Sequence, residues 1–131
     1  MKNSLNINHA RILLVEDHKN LALAVGAYLE SSGFTMDYAY DGLCGLHLVT
    51  TQHYDAIILD VMLPGIDGLE TYKRILDINP SQKTIIVSGF SETDRVKEAQ
   101  DLGAGPYVKK PYVREKLGLA IRRELDRPLG G

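Results

Sequence analysis

Three carboxylates, one hydroxyl and one ammonium hold equivalent places in this sequence: each stands at the end of a short apolar run. Glu16 and Asp17 follow Arg11-Ile-Leu-Leu-Val15, and Asp60 follows Ala56-Ile-Ile-Leu59. Ser88 follows Thr84-Ile-Ile-Val87, and Lys110 comes just after Tyr107-Val108. Unbroken runs of this kind read as strands buried on both faces, as in parallel sheets. Such strands open on one edge, and open α/β sheets bind ligands outside the carboxyl ends of their strands. Three carboxylates gathered there repel one another unless cations join them. Lys110 supplies one positive charge, and a divalent ion would bring the local sum to zero. The donors are all oxygen, which favours Mg2+ over zinc or copper. A carboxylate beside a metal, an ammonium and a hydroxyl is equipped to take up a phosphoryl group. The carboxylate attacks in line, while the metal, Lys110 and the Ser88 hydroxyl meet the phosphoryl oxygens. Any one of these acids alone reads equally well as a loop cap; five such residues at four matching strand ends do not.

The segments between these residues must build the frame. Leu21, Ala24, Val25, Tyr28 and Leu29 have helical spacing with one apolar stripe, and Gly33 ends that helix. Thr35 to Ala39 is a short strand, broken by Asp41-Gly42. Leu43, Leu46 and Val49 predict a second helix, weakened by Gly42, Gly45, Thr50 and Thr51. Leu69, Tyr72, Ile75 and Leu76 mark a third, stopped by Asn79-Pro80. Ser91 with Asp94 resembles a helix start. The helix that follows has a thin apolar face of Val96, Ala99 and Leu102, so its local stability is low and it is free to move. Pro106 cannot donate to a ladder, which sends the last strand to a sheet edge. Leu117, Ala120, Ile121 and Leu125 form the stripe of the final helix. Arg114, Glu115, Lys116, Arg122, Arg123 and Glu124 read as its solvated face. Five strands alternating with five helices predict one parallel sheet covered on both sides.

Composition narrows the classes. At 131 residues, 44% of them hydrophobic, the chain suits a single domain with a full core. A net charge of -2 with no basic stripe argues against a nucleic-acid surface. No apolar run approaches the roughly 20 residues of a membrane span. No signal peptide is visible in Met1 to Ala10, which reads as a loose tail over 1–9. The lone cysteine, Cys44, fits a reducing, cytoplasmic setting. The structured part is expected over 10–125, with 126–131 a fraying end or linker.

The motifs Val15-Glu16-Asp17, Leu59-Asp60-Val-Met-Leu-Pro64 with Gly68, Val87-Ser88-Gly89, Gly103-Ala104 and Tyr107-Val-Lys-Lys-Pro111 together resemble a response-regulator receiver domain, similar to CheY. The resemblance covers roughly residues 10 to 125. It implies a flavodoxin-like doubly wound fold with strand order 2-1-3-4-5, which is that of CheY. It implies that Asp60 is the phosphoacceptor and that Glu16 and Asp17 are the acidic pair holding Mg2+. The backbone carbonyl of Met62 would be a further ligand. Ser88 would be the switch hydroxyl, Tyr107 the switch aromatic and Lys110 the phosphate-pairing lysine. Lys109 is the rival for that last role, but family spacing and strand alternation both select Lys110. The resemblance also implies a cis bond between Lys110 and Pro111.

Some positions depart from the family pattern. Glu16 replaces the commoner Asp, so its longer arm is expected to reach the metal through water. Ser88 replaces the commoner Thr, and Val113 stands where a helix cap is frequent. Met62 and Phe90 are apolar and would shield an acyl phosphate, which predicts slow self-dephosphorylation. On this reading a histidine kinase or phosphotransfer protein phosphorylates Asp60. Ser88 is then drawn toward the phosphoryl group, Tyr107 turns inward, and the face of Ser91 to Leu102, Tyr107 and the last helix changes shape. That face is the expected output or homodimer surface. The domain would be no enzyme beyond its own phosphorylation and dephosphorylation.

Other classes fit less well. An aspartyl-intermediate phosphatase or phosphotransferase needs a second acid two residues after its nucleophile, where Met62 stands. A nucleotide-binding domain needs a Gly-rich turn where Glu16-Asp17-His18 follows the first strand. A phosphorylation-independent module with the same fold would not need all five groups. His18 sits beside the site, where such a residue is more often an exposed loop residue than a ligand. The stretches around Gly89 to Arg95 and Lys109 to Tyr112 look like receivers attached to hybrid kinases, which favours a fragment over a stand-alone protein.

Overall fold

The computed structural model describes residues 9–61, 66–88, 94–110 and 114–128. Outside them lie the Met62 carbonyl, the Met62 and Phe90 side chains, Ser91, the bond from Lys110 to Pro111, Val113, and residues 1–8 of the expected N-terminal tail. The strands are β1 (Arg11–Val15), β2 (Thr35–Ala39), β3 (Ala56–Asp60), β4 (Thr84–Ser88) and β5 (Tyr107–Lys109). The helices are α1 (Lys19–Ser31), α2 (Gly42–Thr51), α3 (Gly68–Ile78), α4 (Asp94–Asp101) and α5 (Arg114–Asp126). The sheet is wholly parallel in the order β2-β1-β3-β4-β5, as expected.

Alternation along the strands sorts the core into two layers. Ile12, Leu14, Ala56, Ile58, Ile85 and Val87 face α1 and α5, where they meet Val25, Leu29, Leu117 and Ile121. Leu13, Val15, Ile57, Leu59 and Ile86 face α2, α3 and α4, where they meet Val49, Tyr72, Ile75 and Val96. The residues of β3 and β4 are buried throughout. Burying each large side chain of this set contributes roughly 1.5–3 kcal/mol. The three residues of β5 are only half-buried or exposed, as befits an edge after Pro106.

Several details depart from the sequence pattern. In α2 the buried positions are Gly42, Gly45 and Val49, while Leu43 points to solvent at 62% exposure. A Cβ on Gly45 would lie 3.2 Å from a Val15 methyl, so the glycine lets the helix approach the sheet closely. In α1 Ala22 and Gly26 are buried and Ala24 is exposed. Leu102 lies past the end of α4 and is exposed, leaving only Val96 and Ala99 to hold that helix to the core. Glu124, expected on a solvated face, is buried and bonded to Arg127 at 2.7 and 2.8 Å. Arg127, within the expected fraying end, also donates to the Gly103 carbonyl. Capping follows chemistry: Asp41 accepts from the Cys44 amide and Asp67 from the Glu70 amide.

Candidate functional site

The register carries the polar strand ends to a common level. Val15 pairs with Leu59, Asp60 with Val87, and Ser88 with Lys109. Glu16 therefore stands beside Asp60, and Lys110 one step beyond the last paired residues. Residues 12, 14 and 16, residues 56, 58 and 60, and residues 108 and 110 alternate alike. Glu16, Asp60 and Lys110 thus share one side of the sheet edge. Ser88 and Tyr107 belong with Ile86 on the other side, toward α3 and α4, and Tyr107 is packed against that layer.

The contacts match this placement. The Lys110 ammonium lies 2.6 Å from Asp60 Oδ2 and 2.6 Å from Glu16 Oε1. It bridges acids that come from two different strands. Glu16 is fully buried and Asp60 is 3% exposed. Lys109 is exposed, and Lys110 is the lysine whose ammonium meets the two acids. The Lys110 amide donates to the Ser88 carbonyl at 2.7 Å, and the Val61 amide to the Val87 carbonyl at 3.1 Å. These bonds fix the three loops relative to one another. Behind Asp60, Gly68 donates to the Val61 carbonyl. A Cβ on Gly68 would lie 1.9 Å from the Asp60 carbonyl oxygen, so only glycine lets α3 start this close to the end of β3.

Electrostatics follow from burial and partners. Burial pushes the Glu16 carboxyl up, but hydrogen bonding to Lys110, the Lys110 charge and bonds from His18 outweigh it, leaving its pKa lowered. Burial pushes the Lys110 ammonium down, but hydrogen bonds to Asp60 and Glu16 win, leaving its pKa raised. Both groups hold their charged forms at neutral pH. Asp17 follows Glu16 at the end of β1, 29% exposed at its side chain, so three carboxylates and the Lys110 ammonium stand at these strand ends, Asp60 lying outside the close ligand group of its neighbours. The residual charge of two, an oxygen-rich donor set and a close group of ligand atoms on Glu16, Asp17 and His18 fit one divalent cation. His18 was not expected in this group. Its ring Nδ1 lies 3.1 Å from Glu16 Oε2 and 3.4 Å from Asp17 Oδ1.

A family model for the response regulator receiver domain matches residues 12–122. The chain belongs to this family. It is a receiver domain of two-component signalling. It is 38% identical over 112 residues to the transcriptional regulatory protein DltR of Streptococcus agalactiae, covering 86% of this chain and 50% of that protein. It is 39% identical over 117 residues to the response regulator ArlR of Staphylococcus saprophyticus, covering 89% and 53%. The receiver thus spans about half the length of these relatives. Among solved structures, a CheY-like receiver domain protein from Methanospirillum hungatei superposes with a TM-score of 0.85 at 25% identity, covering 90% of this chain and 94% of the other. The receiver domain of sensor histidine kinase PA1611 from Pseudomonas aeruginosa, solved with magnesium coordinated in its active-site cleft, gives 0.82 at 26% identity, covering 91% and 99%. Among the described residues of this receiver, no helix is long and apolar enough to cross a membrane.

Proposed function

We propose that this receiver is a phosphorylation switch in which Asp60 takes a phosphoryl group from phosphohistidine on a histidine kinase or phosphotransfer protein. A carboxylate oxygen of Asp60 attacks phosphorus. The P–N bond breaks, and its electron pair stays on the imidazole nitrogen, which is left protonated after proton uptake. Glu16, Asp17 and Asp60 are the described side chains that would hold Mg2+. When bound, Mg2+ supplies Lewis-acid stabilisation of phosphoryl charge. Lys110, already 2.6 Å from Asp60, stays with the phosphoryl oxygens as a positive partner. Ser88, buried at the end of β4, supplies a hydroxyl toward the new group, and Tyr107 follows it on the same side of the sheet.

The observation that carries this reading is the single ammonium shared by buried acids from two strands. The output surface is the face of α4, β5 and α5. A groove of about 720 Å³ there has an apolar floor of Val108, Leu119 and Ala120 and a basic rim of Lys109, Lys116 and Arg123. α4 carries Asp94, Glu98 and Asp101 against Arg95 and Lys97, so it offers acidic partners to the basic rim of a second copy paired about a two-fold axis. Phosphohistidine donors of this kind place the domain in the cytoplasm. The test is incubation with acetyl phosphate and Mg2+ followed by intact mass. Wild type should gain one phosphoryl group and Asp60→Asn none; no gain on wild type, or an equal gain on the variant, overturns the assignment.

A further inference from the structure

The proposed cation pocket contains one donor that is not oxygen. His18 caps the start of α1, yet its side chain makes no capping bond to that helix. Its ring is turned back instead, with Nδ1 toward both acids. The nitrogen lies 3.1 Å from Glu16 Oε2, a hydrogen bond in this structure, and 3.4 Å from Asp17 Oδ1, and both distances also suit neighbouring ligands of one ion. Bonds of about 2.1 Å put cis ligands at about 3.0 Å in an octahedron and about 3.4 Å in a tetrahedron. The His18 amide also donates to Glu16 Oε2 at 3.2 Å, which keeps the backbone beside the acid that the ring faces.

We infer that His18 is a ligand for borderline first-row cations such as Co2+ or Ni2+, and so a determinant of which metal this pocket prefers. The inference rests on the divalent-cation reading of Glu16, Asp17 and Asp60. Imidazole suits cobalt, nickel and zinc, whereas Mg2+ holds its waters and prefers oxygen. When Nδ1 takes up a metal, the ring proton must sit on Nε2. The His18 side chain is 71% exposed, so that N–H meets water at little cost. The ring therefore joins the ion without burying an unpaired group. Mg2+ gains nothing from it.

Titrations with Co2+ and with Mg2+ alone, on wild type, His18→Ala and His18→Asn, test the inference. Loss of the ring should weaken Co2+ by about tenfold or more in both variants and leave Mg2+ within about twofold. Proton NMR of the cobalt-loaded wild type should show hyperfine-shifted imidazole signals that vanish in both variants. Equal weakening of the two ions, or unchanged cobalt affinity with no imidazole signal lost, overturns the role of His18 and leaves the oxygen site standing. Absence of saturable binding of either ion to wild type overturns the cation site itself.

Discussion

At the residue scale Lys110 carries most of the electrostatic balance. It is the ammonium that lets Glu16, with no exposed surface, remain ionised. Lys110→Ala should therefore destabilise the metal-free domain by about 3–5 kcal/mol, the cost of leaving a buried charge without its partner. Urea unfolding with and without Mg2+ checks this, and Mg2+ should recover part of the loss. The pH dependence has a definite sign. The lowered pKa of Glu16 gives stability that is present above its ordinary value of 4.5 and is lost as pH falls through the lower folded value. The raised pKa of Lys110 gives stability that is present below its ordinary 10.5 and is lost as pH rises through the higher folded value. Across neutral pH both contributions are in force. In the variant, burial without a cation raises the Glu16 pKa instead. The gap in stability between wild type and Lys110→Ala should thus narrow as pH falls through the ordinary carboxylate range. A gap that stays constant there refutes the pairing argument.

At the element scale α4 is a short helix held to the core by two small buried side chains, Val96 and Ala99. Gln100 donates to the Gly105 carbonyl at 3.1 Å, and two ion pairs add to this. Arg95 binds Asp67, and Glu98 binds Lys73 of α3 at 2.9 Å. Exposed pairs are each worth at most about 1 kcal/mol, but α4 has little else. Arg95→Gln with Glu98→Gln should speed amide hydrogen exchange in α4 several-fold and leave β1 and β3 unchanged; added salt should do the same to wild type. Equal exchange would mean that burial alone positions α4. The strands were legible from sequence because a run such as Ile85-Ile86-Val87 has no other use for its side chains. Their polar ends were legible because parallel strands share an edge. The face of α2 was not, since an apolar count skips glycine, and Gly45 is the position that packs on Val15. Nor was Glu124, whose burial depends on Arg127 three residues on. The turn of the His18 ring toward Glu16 and Asp17 was hidden because sequence does not show which way an exposed ring points.

At the scale of the whole molecule, Lys110 joins two regions. Its ammonium holds Asp60, while the residue itself lines the groove beside Val108 and Leu119. Its amide is bonded to the carbonyl of Ser88, the expected switch residue. A phosphoryl group at Asp60 that draws on Lys110 and Ser88 therefore pulls on one wall of the groove. Binding in the groove must in turn favour the phosphorylated arrangement, because coupling between two sites is reciprocal. Leu119 separates the two functions cleanly. It is 53% exposed, so Leu119→Glu should fold and should accept phosphate from acetyl phosphate as wild type does. Sedimentation should then show wild type moving to a dimer on phosphorylation and Leu119→Glu remaining a monomer. If wild type stays monomeric while carrying its phosphate, the apolar floor and basic rim serve a different, acidic partner, and self-pairing across α4, β5 and α5 is ruled out. If both dimerise, the contact lies on another face and Lys110 links the site to nothing in this groove.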